Sequence, residues 1–185
     1  KLNQGLKVPG GIIHASYGGS RVEAWMSKEG IEPYKELSDV HNASILYNGM
    51  LSPVVGYGIR GCLWYQGEAN AHMPGVLTYA DKLKRLIVGY RKARKDNGLP
   101  FFYVQLPNFK IETYYGNEEE RDSDWGAMRL EQEKVLTLPG TGMVRTIGLG
   151  EDNDLHPHNK KDVGELLADL AEKMTGGPPA HPPEK

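Results

Sequence analysis

Cysteine is almost absent from this sequence, because Cys62 is the single cysteine among 185 residues. One cysteine excludes an internal disulfide. Cys62 lies in the apolar run RGCLWYQ, which is typical of a buried strand, and a free cysteine in such a place behaves as a small hydrophobic side chain. We therefore predict a core role for this thiol.

An excess of either charge is also absent. The 22 Lys and Arg residues nearly balance the 24 Asp and Glu residues, for a formal net charge of -2, and no basic block is present. Nucleic-acid binding normally needs a cluster of cations against the phosphates, so we expect no nucleic-acid partner. No apolar run approaches the roughly 20 residues that span a bilayer, so we expect no membrane span.

The length fits one domain, which we place at residues 1–175. The last ten residues, GGPPAHPPEK (176–185), are rich in Pro and Gly and predict an extended tail. The first residues, KLNQGLKVPGG, show neither an initiator Met nor the pattern of a signal peptide. We expect a mature form or a fragment of a longer protein.

Short apolar runs alternate with helical patterns along the chain. The runs that predict strands are VPGGIIHAS (8–16), GIRGCLWYQ (58–66), LPFFYVQLP (99–107) and GMVRTIGLG (142–150). Helices are predicted over 76–96, over 124–138 and from about Asn159 to the Gly176–Gly177 pair, with one or two short helices between 27 and 57. In the first of these, Ala80, Leu83, Ile87 and Tyr90 share one face, with Lys and Arg on the other.

This alternation predicts an α/β fold with a mainly parallel sheet, because parallel crossovers usually contain a helix. Function in such sheets gathers in loops at the carboxyl ends of the strands. The polar or glycine-rich loops expected at that rim are YGGSRVEAW, QGEANAHMPG, PNFKIETYYGNEEERDSDW and EDNDLHPHNK.

The last of these loops allows three interpretations. His156 and His158, with acidic neighbours, could bind zinc, although no second His or Cys cluster has the usual spacing. The acids and Asn159 could instead serve only to begin the next helix. Alternatively, Asp154 could hold the ring of His156, as a carboxylate does for the histidine base of acyl transfer.

Two earlier loops carry residues that would suit the third interpretation. Gly18 and Gly19 would let the backbone approach a ligand and present N–H groups to an oxyanion, although a tight turn would need glycines too. Gln66, after the second predicted strand, could add an amide donor, with Gly67 making the turn and Glu68 joining neighbouring loops or lying in solvent.

The segments GGIIHASYGGSRVEAW, LYNGMLSPVVGYGIRGCLWYQGEAN and DLHPHNKKDVGELLA together resemble the sialate O-acetylesterase family, a branch of the SGNH hydrolases related to carbohydrate acetyl esterases. The resemblance extends from about residue 8 to residue 174. It implies an SGNH-like, flavodoxin-like three-layer α/β/α sandwich. It also implies a serine esterase that removes acetyl groups from sugar hydroxyls with no metal or organic cofactor.

The motifs of that family imply roles for individual residues. His156 would be the base, Asp154 its orienter, Gly19 a backbone oxyanion donor and Gln66 a side-chain donor. The superfamily usually has Asp three residues before the His, where this chain has Asn153, so Asp154 is preferred over Asp152. The residues expected in supporting roles around them are Gly18, Ser20, Gly67, Glu68 and Asn70.

The nucleophile of the family is not matched here. Relatives carry it in a G-Q-S-N or G-D-S block after the first strand, and Ser16 and Ser20, the serines near the rim, lie in no such block. We therefore expect the nucleophile upstream of residue 1, with residues 1–175 forming the carboxyl-terminal major part of the catalytic domain. The amino-terminal part, as a separate or cleaved segment, would then be a partner that adds the missing first strand.

The leading hypothesis is a serine-type carbohydrate O-acetylesterase acting through an acyl-enzyme on an acetylated carbohydrate, either sialic acid or another acetylated sugar. The alternative is a non-catalytic carbohydrate-binding or interaction module of the same fold. A third hypothesis is a metal-dependent hydrolase that uses His156 and His158. The resemblance alone favours an extracytoplasmic location, whether secreted, periplasmic or lysosomal.

Overall fold

The computed structural model describes residues 1–7, 9–34, 42–71, 75–109, 118–152 and 154–175. Its centre is a three-stranded parallel sheet in the order β1-β2-β3, formed by Cys62–Trp64 (β1), Phe101–Val104 (β2) and Thr141–Val144 (β3). Phe101 pairs with Cys62 on one side and with Thr141 on the other. The expected α/β class with a parallel sheet is confirmed, as are three of the predicted strands.

Helices connect and flank the strands. They are α1 (Leu2–Leu6), α2 (Lys28–Ile31), α3 (Glu68–Ala71), α4 (Tyr79–Arg94), α5 (Glu118–Lys134) and α6 (Lys160–Thr175). Short 3-10 turns occur at Val22–Trp25, Glu32–Tyr34, Ser52–Val54, Val76–Thr78 and Val135–Thr137, and a π-helical turn occurs at Tyr47–Leu51. Helix α4 is the crossover from β1 to β2, and α5 is the crossover from β2 to β3. No helix in the described ranges is long and apolar enough to cross a membrane.

The long predicted helices are confirmed, with shifted boundaries for α5. On α4 the residues predicted for the buried face are indeed buried: Ala80, Leu83, Ile87 and Tyr90. Helix α5 begins earlier than the predicted residue 124. Helix α6 begins one residue after Asn159, whose Oδ1 accepts a hydrogen bond from the backbone N–H of Asp162 at 3.2 Å and caps the helix. The predicted tail, 176–185, lies outside the described residues.

The strand predicted over residues 8–16 is wrong for the part that the structure describes. Residues 9–16 form no strand, and the side chains of Ile12 and Ile13 are 93% and 48% exposed. An apolar run becomes a strand only where a neighbouring backbone supplies ladder hydrogen bonds. Here the described ladder has β1 at one edge and β3 at the other, and residues 9–16 pair with neither.

The core covers both faces of the central strand, since every residue of β2 is buried. Phe101 and Tyr103 belong to the larger apolar cluster, with side chains of α4 and α5. Val104 packs with Val144 and with Val163 of α6 in a second cluster. The half-buried Cys62 packs at the edge of the larger cluster, and burial raises the pKa of its thiol to about 11, as expected for a core residue. The sheet therefore lies between helical layers, and its strand ends define one rim.

Candidate active site

Gln66, just beyond the carboxyl end of β1, lies at the centre of a hydrogen-bond network. Its side chain is 8% exposed. Its amide nitrogen donates to the backbone oxygen of Ser20 at 3.2 Å and to Oδ1 of Asn70 at 2.8 Å. Its amide oxygen accepts a hydrogen bond from the hydroxyl of Tyr79 at 3.0 Å. Gln66 thus ties the glycine-containing loop to α3, and both of its N–H groups are engaged within the chain.

The loop Tyr17–Arg21, called here the glycine loop, is held by Ser20. The Ser20 hydroxyl donates to the backbone oxygen of Tyr17 at 2.7 Å and accepts from the indole N–H of Trp25 at 2.9 Å. Gly18 and Gly19 are exposed, and apart from the adjacent residues no heavy atom lies within 4 Å of where their Cβ atoms would be. Gly19 has a φ of 68°, which favours glycine. The backbone of this turn therefore borders open space at Gly18 and Gly19, while the two hydrogen bonds of Ser20 hold the turn together.

Gly67 immediately precedes α3, and Glu68 is the first residue of that helix. Gly67 has a φ of 155°, and a Cβ there would lie 3.1 Å from Nε2 of Gln132. Burial raises the pKa of the Glu68 carboxyl, while the backbone N–H groups at this helix start and the neighbouring His156 and Lys160 act in the opposite direction. Glu68 is therefore electrostatically coupled to the loop that carries His156.

The loop Glu151–Asn159, called here the histidine loop, is organised by its acidic residues. Oδ1 of Asp154 accepts a hydrogen bond from the backbone N–H of His156 at 2.7 Å. Oδ2 of Asp154 lies 3.4 Å from Nδ1 of His158, and Oε2 of Glu151 accepts from the backbone N–H of His158 at 3.3 Å. Asp154 thus contacts the backbone of His156. The ring beside this carboxylate belongs to His158, and the orienter role of Asp154 stays a prediction.

The loops after the three strands are joined to one another. Nζ of Lys160 lies 5.0 Å from the centre of the Tyr65 ring, next to Gln66. The amide nitrogen of Asn108, after β2, donates to the carboxylate of Asp152. Oδ1 of Asn108 also accepts from the backbone N–H of Gly148 at 2.9 Å. The rim expected from the sequence therefore brings together the glycine loop, the Gln66 turn and the histidine loop.

The structure shows no set of metal ligands in the part of the chain that it describes. No group of three or more His, Cys, Asp or Glu side chains gathers there as it would around a metal ion. Asn153, which lies between the acidic residues of the histidine loop, is outside the described ranges.

The sequence did not predict the buried residues that support Gln66 and Asn70. Lys82 was predicted on the polar face of α4, but it is 5% exposed and its Nζ lies 2.7 Å from Oε1 of Glu23. Oε2 of Glu23 accepts from the side-chain amide of Asn70 at 2.9 Å, and Tyr79 reaches Gln66 as described above. No local pattern signals the burial of Lys82, because its partner Glu23 lies 59 positions away in the sequence.

Comparisons with known proteins agree with this architecture. Residues 2–175 match the family model described as "Carbohydrate esterase, sialic acid-specific acetylesterase". The chain is 36% identical over 191 residues to the sialate O-acetylesterase of Homo sapiens, covering 88% of this chain and 35% of that protein. It is 24% identical to the sialate O-acetylesterase of Mus musculus, again over 88% of this chain and over 38% of that protein.

A solved structure is similar in fold as well as in sequence. The crystal structure of a carbohydrate acetylesterase from Xanthomonas citri has a TM-score of 0.83 and 38% sequence identity, covering 95% of this chain and 39% of that one. The described helices and strands therefore belong to an arrangement seen in a carbohydrate acetylesterase. The chain spans less than half the length of the relatives it matches.

Proposed function

This chain belongs to the carbohydrate esterase family of sialic acid-specific acetylesterases, and we propose that it forms the part of a serine-type carbohydrate O-acetylesterase that carries the histidine base and the oxyanion-binding loops. The observation that carries the proposal is the meeting of three loops at one rim. Gln66 bonds the glycine loop, and the neighbouring Tyr65 ring lies against Lys160, which directly follows the histidine loop. The substrate class is an acetylated sugar hydroxyl.

The reaction has two half-steps, in each of which histidine moves one proton. A serine hydroxyl adds to the acetyl carbonyl while His156 accepts its proton, and the carbonyl oxygen becomes an oxyanion. Collapse of this intermediate expels the sugar oxygen, which takes the proton from His156, and leaves an acetyl-enzyme. Water then adds with His156 again as base, and acetate leaves as the serine oxygen recovers its proton.

The oxyanion would lie beside Gly19 and Gln66. Gly19 contributes a backbone N–H in a turn with open space around it. Gln66 donates from its side-chain amide, whose two N–H groups bond Ser20 and Asn70 in this structure. Donation to an oxyanion therefore requires Gln66 to exchange one of those bonds for the substrate.

The nucleophilic serine is proposed to come from polypeptide outside residues 1–185. Ser20 holds the glycine loop through both of its hydrogen bonds. Ser16 lies 2.8 Å from Nε2 of His14, but both are exposed on a segment outside the sheet. Leu63 on β1 is 63% exposed, and Ile12 lies free of the core. Parallel sheets are normally covered on both faces, so these exposed apolar groups support further polypeptide packed against β1 and residues 9–16.

A non-catalytic carbohydrate-binding module is the second candidate for this chain by itself. Two observations favour it: Asp154 bonds the backbone of His156, and Gln66 has no N–H left for a ligand. Such a module would bind an acetylated sugar without releasing acetate.

The test is hydrolysis of an aryl acetate by the full-length protein that carries this sequence, and by residues 1–185 alone. The proposal expects activity in the full-length protein that is lost in His156→Ala and kept in the matched control His158→Ala. An active-serine phosphonate should label the full-length protein outside this sequence. Labelling at Ser16, or loss of activity in Ser16→Ala, would contradict an outside nucleophile. Sugar binding without acetate release or labelling in the full-length protein would favour the second candidate.

A further inference from the structure

Asn70 lies where the glycine loop, the Gln66 turn and α4 approach one another. It is 4% exposed. Its Oδ1 accepts two hydrogen bonds, from the backbone N–H of Val22 at 3.0 Å and from the side chain of Gln66 at 2.8 Å. Since Gln66 also donates to the backbone of Ser20, these residues close a ring of contacts between the two loops that flank the proposed oxyanion.

The other end of Asn70 is bonded to a buried ion pair. Its amide nitrogen donates to Oε2 of Glu23 at 2.9 Å, and Oε1 of Glu23 lies 2.7 Å from Nζ of Lys82. The side chains of Lys82 and Glu23 are 7% and 13% exposed. A carboxylate bonded on both oxygens has little freedom to rotate, so the orientation of the Asn70 amide is fixed by Glu23.

We propose that Asn70 is a positioning residue of the esterase and that the Glu23–Lys82 pair is its anchor. The proposal rests on the proposed function, because it concerns the placement of Gly19 and Gln66 as oxyanion donors. Asn70 itself touches no substrate. It holds the glycine loop and Gln66 at one separation, so that both donors meet the same oxygen. A small displacement of either donor weakens stabilisation of the transition state more than binding of the substrate.

Two variants separate this role from general packing. Asn70→Asp keeps an acceptor for Val22 and Gln66, but it loses the donor to Glu23 and places a second carboxylate against it. The double variant Asn70→Asp with Glu23→Gln restores a hydrogen bond in the reverse direction, from the new glutamine to the new aspartate, with the same total charge. Asn48→Asp is the matched control, because Asn48 is exposed on the π-helical turn.

The first measurement is amide hydrogen exchange at Val22, which needs no catalytic activity. In Asn70→Asp we expect exchange at Val22 to be at least about tenfold faster than in the wild type, and in the double variant to return to within about threefold. Asn48→Asp should leave it unchanged. An unchanged rate at Val22 in Asn70→Asp would overturn the anchor, and so would a double variant no better than the single one.

The second measurement is the split between kcat and KM in the full-length protein. We expect Asn70→Asp to lower kcat by about tenfold or more with KM within about twofold, and the double variant to recover most of the loss. If Asn70→Asp has faster exchange at Val22 but the same kcat as the wild type, the proposed role of Asn70 in positioning the oxyanion donors is overturned. A wild-type full-length protein without esterase activity would overturn the proposed function and this consequence together, while the exchange rates would still decide whether Asn70 joins the loops.

Discussion

Oδ1 of Asp154 accepts the backbone N–H of His156 at 2.7 Å, so this carboxylate shapes the loop that presents the histidine. A turn of this kind is a common use of an Asp side chain two residues before the bonded N–H. The same carboxylate is the one that the family resemblance assigns to the histidine ring. The two roles differ in what they need from Asp154, since the turn needs only an oxygen acceptor, whereas stabilisation of an imidazolium needs a negative charge.

Asp154→Asn therefore distinguishes the two roles. Asparagine keeps an oxygen for the backbone N–H of His156 but has no charge. We expect kcat of the full-length protein to fall by about 10²-fold or more, with a melting temperature close to that of the wild type. Glu151→Gln is the matched control, because Glu151 is an acidic residue of the same loop that contacts His158 instead. A fall in kcat in Glu151→Gln as large as that in Asp154→Asn would argue against a specific role for Asp154.

Gln66→Ala tests the proposed side-chain oxyanion donor. Loss of one such donor lowers kcat by about 10²- to 10³-fold with a smaller effect on KM. The variant also removes the bonds to Ser20, Asn70 and Tyr79, so the free energy of unfolding should fall as well. Steady-state kinetics and urea unfolding on the same preparation give both quantities.

Tyr79→Phe is the control for the structural share of that loss. It removes the hydroxyl that donates to Oε1 of Gln66 and leaves both Gln66 donors in place. We expect a reduced free energy of unfolding and a kcat within about tenfold of the wild type. A kcat as low in Tyr79→Phe as in Gln66→Ala would show that Gln66 acts through loop geometry alone.

Lys82→Met leaves Glu23 as a buried carboxylate without its cation. Breaking one side of a buried ion pair costs about 3–5 kcal/mol, because the remaining charge is desolvated. We expect a loss of that size in the free energy of unfolding, measured in urea, and less than about 0.5 kcal/mol for the exposed control Lys92→Met on the same helix. Adding Glu23→Gln to Lys82→Met should recover part of the loss, whereas a double variant as unstable as the single one would contradict the charge argument.

Most of the helices and strands could be predicted from the sequence, because the patterns that specify them lie within the elements themselves. Helix α4 and strand β2 are specified by patterns within their own residues, namely a buried face that includes Leu83 and an apolar run that includes Tyr103. The segment 9–16 has the same apolar character, yet it forms no strand because a strand depends on a neighbouring backbone. Sequence pattern alone does not report whether that neighbour is present.

In the candidate site, too, contacts between residues near in sequence could be predicted, whereas contacts between distant residues could not. Asn159 could be predicted to begin α6, because its cap contact spans only the four consecutive residues from Asn159 to Asp162. The contacts of Asn70 with Val22 and Glu23 join residues 47 or more positions apart, so no local pattern signals them. Lys82 shows the limit most clearly, since a lysine on a helix is ordinarily solvated and only the distant Glu23 explains its burial.

Glu68 gives a pH dependence whose sign follows from its surroundings. Burial raises the pKa of this carboxyl in the folded protein above the ordinary value of 4.5. Between the two pKa values the folded state binds more protons at this group than the unfolded state does. Its contribution to stability is therefore fully present below pH 4.5 and is lost as the pH rises through the folded pKa.

Glu68→Gln removes this dependence. The difference in free energy of unfolding, wild type minus variant, should be more favourable at about pH 4 than at about pH 7. Urea titrations of both proteins at these two values test it. A difference that stays constant would mean that the backbone N–H groups, His156 and Lys160 cancel the effect of burial on Glu68, and a difference that grows with pH would mean that they outweigh it.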